Sequence, residues 1–222
     1  MKNEDKLIMS KKVNLASPKA GAKIIDVSDD FFAKCDRMLN DTDPIFIDDK
    51  YDDHGKWMDG WESRRKRVEG NDWAIIGLGG RCSIEDVIID TRHFTGNHPP
   101  AASLDFSSNH SYEAGSLDWH TLLEKQILKG DHINEFKLLK NQNVTYVRLN
   151  IFPDGGVARL RLFGDLIPFS QDLSKDLELS ALKNGGKIIG YNNAHYGNVN
   201  ALLSEGRGTT MGDGWETRRR RV

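Results

Sequence analysis

Residues 144–163 read VTYVRLNIFPDGGVARLRLF. In an extended chain Val147, Leu149 and Ile151 share one face, and Tyr146 and Arg148 the other. PDGG at 153–156 is a strong short-range turn signal. Beyond it Val157, Leu160 and Leu162 alternate again, with Arg159 and Arg161 on either side of Leu160. The stretch predicts a β-hairpin. Working outward, WAIIGL (73–78) is β-prone and ends at Gly79-Gly80, and IEDVIIDTRHF (84–94) alternates as a separate strand. Residues 101–107 read as another. HTLLEKQILKG (120–130) fits either a helix or a short strand stopped by Gly130. Upstream, AKIIDV (22–27) is a short apolar strand, followed by a turn or short helix anchored by Phe31, Phe32 and Cys35. Short strands at roughly ten-residue spacing, Gly-rich turns and little helix predict an all-β fold, a jelly-roll β-sandwich.

The chain also repeats itself. DGWESRRKRV at 59–68 returns as DGWETRRRRV at 213–222, identical at eight of ten positions. GKIIGYNNAHYGNVNALL (186–203) likewise echoes AKIIDVSDDFFAKCDRML (22–39), with Lys23/Lys187, Ile24/Ile188, Ile25/Ile189, Phe32/Tyr196 and Leu39/Leu203 in register. The offset is 164 residues at the strand and 154 at the Trp motif, so the first copy carries ten more residues, in the acidic loop at 41–53. A unit of about 150 to 165 residues is a duplicated domain rather than a solenoid repeat. The expected layout is an N-terminal arm over the surface (1–20), a first repeat (21–167), a linker (168–184) and the opening of a second repeat (185–222). About 37 residues of a jelly roll cannot close a sheet. The second copy is therefore expected either to be a truncated domain or to pack on the first domain or on another chain.

Composition narrows the class. A chain of 222 residues with 38% hydrophobic and 29% charged residues can bury a good-sized core. A net charge of −2 gives no bulk attraction to nucleic acid or membrane. RRKR and RRRR are flanked by acids and carry a Trp, which argues against a nucleic-acid patch. Two cysteines, Cys35 and Cys82, are too few for a disulfide framework, and reduced thiols are expected. The N-terminus lacks the apolar core of a signal peptide, and no apolar run approaches a membrane span. The cytoplasm is the expected compartment, with a peroxisomal address the alternative.

KIIDVSDDFF, DGWESRRKR, VIIDTRHFTGNHPP, VRLNIFPDGGVARLRLFG, GGKII…AHYGN and GRGTTMGDGWETRRRR together resemble the allantoicase family, over nearly the whole chain from about residue 20. The resemblance implies two repeats, each similar to a galactose-binding-like jelly roll. It implies hydrolysis of allantoate to ureidoglycolate and urea in purine (allantoin) degradation, and a homo-oligomer. The other reading is a non-catalytic jelly-roll ligand-binding module, or a form of the enzyme without turnover. No cofactor is expected, and the sequence leaves open whether a divalent cation takes part. No His/Cys/Asp cluster has the spacing of a tight metal site, and the acidic loop lacks that of a calcium hand.

Allantoate carries a carboxylate and two ureido groups on one carbon. Releasing urea needs a cation for the carboxylate, for which Arg is best shaped. It also needs an acid for the leaving ureido group and a base for water. Asp59, Glu62 and His93 are the catalytic candidates. Arg64, Arg65, Asn97, Arg161, Glu216, Arg218 and His195 are the substrate-binding candidates. For each a plainer role stays open: Trp61 as a core plug, Glu62 paired with an Arg across strands, His93 as a loop cap. Arg148, Arg159 and Arg161 are either surface charges or a second anion-binding row. His195 aligns with Phe31 and so belongs to the second copy alone.

Overall fold

One long strand organises both sheets. The computed structural model describes residues 8–9, 12–113, 115–138, 142–167, 176, 178–204, 208 and 210–219. Residues 168–175 and 177 of the expected linker lie outside them. The sandwich strands are β1 (Val13–Asn14), β2 (Lys23–Val27), β3 (Trp61–Glu62), β4 (Asp72–Asp90), β5 (Ala101–Ser107), β6 (His120–Ile127), β7 (Ile133–Lys137), β8 (Val144–Phe152), β9 (Gly156–Val157) and β10 (Arg159–Leu166).

The first half of β4 pairs with β2 and β8, which continues through β5 to β6. Its second half pairs with β7 and with β10, which carries β1 on its outer edge. All these pairs are antiparallel, so the order is β2-β4-β8-β5-β6 in one sheet and β7-β4-β10-β1 in the other. The register of the partners slips at Val144/Tyr146 and at Phe163/Gly164, on either side of Cys82, where β4 passes from one sheet to the other. Between the sheets Ile76, Val87, Ile89, Leu104, Val147, Leu149, Ile151, Leu160 and Leu162 are all fully buried. This is the jelly-roll sandwich that the alternation predicts.

Three local expectations change. Residues 73–78 and 84–94 are not two strands, because Gly79 and Gly80 keep ordinary negative φ and continue β4. Residues 120–127 form a strand whose Leu123 enters the core. Most instructive, β8 and β10 do not pair as a hairpin. After PDGG the chain is captured by β3, with Gly156 opposite Glu62 and Val157 opposite Trp61. Ala158 N then donates to Asp90 O at 2.8 Å, and β10 runs into the other sheet. A turn signal fixes the reversal but not the partner.

The chain joins the fold earlier than residue 21. Where an arm over the surface is expected, Val13–Asn14 pairs with Phe163–Gly164, and Leu15 and Ala16 enter the core. The structural repeat also starts before Gly186. The 3₁₀ turns Pro18–Ala20 and Cys35–Leu39 recur at Leu182–Asn184 and Val199–Leu203, each 164 residues on. Gly21 and Gly185 close the first turn of each copy with the same φ of 90° and ψ of 8°. The second copy lies against the first, where Lys19 Nζ meets Asp213 Oδ1 at 2.5 Å. A cavity of about 30 Å³ separates Asn14 and Ser17 from Leu182 and Asn200.

Candidate functional site

The first Trp motif is anchored at both ends before it presents anything to solvent. Trp61 is fully buried, and its Nε1 donates to Asp29 O at 2.8 Å. Asp29 Oδ1 accepts from Arg64 N at 2.8 Å, and Oδ2 accepts from Arg64 Nε at 2.7 Å. Burial pushes the Asp29 carboxyl up. The bonds from Arg64 and from Phe31 N outweigh that and leave it below the usual carboxylate range. Glu62 exchanges backbone hydrogen bonds with Ala33, at 3.1 and 3.2 Å. Ser63 N donates to Gly155 O at 3.2 Å, which seats the motif on the PDGG turn.

Between these anchors opens a cleft of about 570 Å³. Three loops build it: residues 62–66, residues 96–100 and the turn at 153–155. The chain comes this close because Gly155 has a φ of 134°, and a Cβ there would lie 2.7 Å from Asn97 O and from Pro99 N. Glu62 points into the cleft, and its Oε1 accepts from Asn97 Nδ2 at 2.7 Å. Its Oε2 has no hydrogen-bond partner among the described residues. Burial pushes the Glu62 carboxyl up, and the Asn97 bond only partly opposes this. The surrounding charges are mostly committed. Lys66 Nζ sits 2.6 Å from buried Asp72 Oδ1, and Asp154 Oδ2 accepts from Lys66 N at 2.7 Å. Arg65 also lines the cleft, and its guanidinium has no ion pair among the described residues. One anchored carboxyl beside one uncommitted Arg can move a proton and hold an anion.

Of the ten predicted residues, the structure brings Glu62, Arg65 and Asn97 into this cleft. It places four others elsewhere. Asp59 is bound to Arg159, Oδ2 to Nη2 at 2.7 Å, and Arg159 is fully buried. Arg159 also donates to Thr42 O, Arg37 O and Asp59 O, so it is neither a surface charge nor part of an anion row. Arg64 is taken by Asp29 and lies over the Phe31 ring. Arg161 donates to the carbonyls of Asn40, Asp41 and Thr42. Arg148 pairs with Asp105 at 2.8 Å. His93 closes a loop with a φ of 71°: its N donates to Asp131 Oδ1, its Nε2 donates to Pro44 O, and its ring stacks on Phe46. Sequence reading missed Lys66, His98 and Asp154, which line the same cleft as Glu62 only through the fold.

The remaining three, His195, Glu216 and Arg218, line a second, more open cleft of about 810 Å³. Its anchors copy the first. Trp215 Nε1 donates to Asn193 O at 2.7 Å, and Arg218 N donates to Asn193 Oδ1 at 2.8 Å. Asn193 stands 164 residues beyond Asp29, so it repeats that residue's two backbone-linked bonds without the carboxylate. The strand contact is shifted by one residue: Tyr196 pairs with Glu216, whereas Phe32, its counterpart in sequence, gives way to Ala33 as the partner of Glu62. Trp215 is 40% exposed where Trp61 is fully buried. Among the described residues no three His, Cys, Asp or Glu side chains converge as metal ligands. Cys35 and Cys82 are free and buried, and burial pushes the Cys82 thiol up to about 12.

Comparison with known proteins agrees with this doubled architecture. The family model "Allantoicase repeat" matches residues 13–167 and 177–222. The chain is 49% identical over 215 residues to a probable allantoicase of Acinetobacter baumannii (strain ACICU), covering 97% of this chain and 64% of that protein. It is 50% identical over 209 residues to one from Acinetobacter baylyi, covering 94% and 63%. A crystal structure of allantoicase from Saccharomyces cerevisiae superposes with a TM-score of 0.78 at 33% identity, over 95% of this chain and 64% of that one. The chain thus spans just under two thirds of the length of these relatives. With both copies of the repeat matched in sequence and the fold matched in three dimensions, this chain belongs to the allantoicase family.

Proposed function

We propose that the cleft around Glu62 binds allantoate and takes part in its hydrolysis to ureidoglycolate and urea. The observation that carries this reading is a half-buried carboxyl, its pKa pushed up by burial and its Oε1 fixed by Asn97, in one cleft with an uncommitted Arg65. At about 570 Å³ the cleft falls in the usual range of small-molecule sites, roughly 300–1,000 Å³. Arg65 pairs its two-pronged guanidinium with the substrate carboxylate. This places the central carbon near Glu62.

Glu62 in its acid form gives its proton to the ureido group that leaves as the C–N bond breaks. The lone pair on the remaining ureido nitrogen supports the carbon as that bond opens. Water then bonds to the same carbon and loses a proton to the Glu62 carboxylate. The products are urea and the hydroxyl-bearing ureidoglycolate, and Glu62 is restored. Burial raises its pKa, the direction that brings a carboxyl general acid nearer the working pH. Asn97 holds the Oε1 edge and leaves Oε2 to face the substrate.

The test is to incubate the folded chain with allantoate and follow urea and ureidoglycolate together. Equimolar release, abolished by Glu62→Gln, is expected. If a well-folded sample releases no urea while a chain extended through the full length of its relatives does, the cleft of this chain is not sufficient for turnover. Unimpaired release from Glu62→Gln would remove Glu62 from the chemistry.

A further inference from the structure

His98 lines the same cleft as Glu62 and Asn97, and one edge of its ring is sealed. A Cβ placed on Gly130 would lie 2.3 Å from His98 Nδ1 and 2.5 Å from Cε1, so that edge of the imidazole rests directly on the Gly130 backbone. Nδ1 is buried and has no hydrogen-bond partner among the described residues. The surface behind it is firmly held. Buried Asn134 accepts from Lys129 N at 2.9 Å through Oδ1 and donates to Lys129 O at 3.1 Å through Nδ2. Thr91 Oγ1 also donates to Lys129 O, at 2.6 Å. Leu128 N donates to Pro100 O at 3.0 Å, which ties this loop to the loop carrying His98.

An unsatisfied buried donor or acceptor costs about 1–3 kcal/mol, but a ring-nitrogen lone pair against the Gly130 Cα hydrogens recovers part of that through weak C–H contacts, which an N–H there cannot make. In the neutral ring the proton therefore sits on Nε2. Since Nδ1 is shut off, any polar contact that His98 makes with a ligand comes from Nε2 as a donor.

We propose that His98 is a ligand-contacting residue of this cleft, offering Nε2–H to a carbonyl or carboxylate oxygen, with Gly130 setting its tautomer and orientation. The proposal rests on the cleft being the allantoate site and adds to it a neutral N–H donor fixed by the backbone behind it. Arg65 answers the carboxylate and Glu62 the leaving group, and a ureido carbonyl oxygen needs a fixed N–H. His98→Gln retains an N–H donor on a side chain of similar reach; His98→Leu retains bulk and no donor.

The experiment uses the whole chain, labelled with ¹⁵N, titrated with allantoate and followed at the His98 ring nitrogens and the Asn97 side-chain amide. The free protein should show the proton on Nε2. Allantoate should shift the His98 Nε2 and Asn97 signals with one shared saturation curve. His98→Leu should weaken binding about tenfold or more, and His98→Gln should keep it within a few-fold of the unsubstituted chain. A proton on Nδ1 in the free protein overturns the proposal. So does an Asn97 response without a His98 response, or equal losses in both variants, and in those cases the cleft itself still binds. If neither signal moves at saturating allantoate, the proposed function and the role of His98 fall together.

Discussion

Arg64 and Arg65 are adjacent in sequence and opposite in circumstance. Arg64 spends its guanidinium on Asp29 at the surface, a pair that solvent screens and that contributes under about 1 kcal/mol. Arg65 carries the uncommitted charge. Arg65→Ala should raise KM for allantoate about ten- to a hundredfold, the size of a charge-assisted pair, whereas Arg64→Ala should leave KM within about twofold. Initial-rate kinetics on both variants decides between them. Glu62 gives a prediction with a sign. With its acid form as the proposed proton donor, kcat should fall as pH rises through its raised pKa. The Asn97 bond lowers that pKa, so Asn97→Ala should move the alkaline limb of the kcat profile to higher pH; an unmoved limb would mean the limb is not Glu62. Stability follows the same linkage. The folded state holds this proton more tightly than the unfolded chain. The resulting stabilisation is complete below the unfolded pKa and is lost as pH rises through the folded one. Urea melts should therefore show the stability of Glu62→Gln gaining on the parent as pH increases. Residue type and family likeness named Glu62, Arg65 and Asn97 as candidates, but that these three would line one cleft was not legible. That Asp59, Arg64, His93 and Arg161 would not was illegible, because each is claimed by a partner fixed only by the fold, such as Arg159 a hundred residues from Asp59.

At the level of elements, the Trp motif does two jobs that its sequence does not separate. DGW seats a short strand and the residues after it present the cleft. The two copies test this, since they keep the same indole and backbone bonds in different surroundings. Trp61→Ala should cost about 3–5 kcal/mol, as for a fully buried aromatic side chain. Trp215→Ala should cost distinctly less, because Trp215 is 40% exposed. Denaturant midpoints of the two variants check this, and equal losses would contradict the assigned burial. Arg159 is the other fixed point. It ties the loop around Thr42 and the start of the Trp motif to β10. Arg159→Ala leaves the partly buried Asp59 carboxylate without its cation, held among the described residues only by Ile45 N, and should cost about 3–5 kcal/mol, read by thermal melts. Strand periodicity predicts the longer strands, misses the short ones such as Val13–Asn14 and the edge strand Ile133–Lys137, and wrongly pairs β8 with β10. Alternation reports which face is buried, and the partner depends on β3, as far back in sequence as Glu62, reaching the turn at Gly156.

Over the whole molecule, duplication is the dominant fact. The first copy completes a two-sheet sandwich, and the second reproduces its opening turns, its Asn193-anchored motif and a cleft lined by Glu216, Arg218 and His195. The repeat was legible in sequence through the Trp motif and the KII strand. The extension of the repeat upstream to Ala181 shows mainly in the backbone, because Ser17–Ala20 and Ala181–Asn184 share one turn conformation but, in sequence, only Lys19/Lys183 and the closing Gly21/Gly185. Family membership places both copies in one lineage; chemistry distinguishes them. Glu62 is held by Asn97 in a walled cleft, and Glu216 lines a more open one. The measurement that bears most directly on the account is a crystal structure of the Glu62→Gln chain soaked with allantoate. The account predicts allantoate in the first cleft, its carboxylate on Arg65 and a ureido group against residue 62. Allantoate seated only against Glu216 and Arg218, with the first cleft free of it, would contradict it.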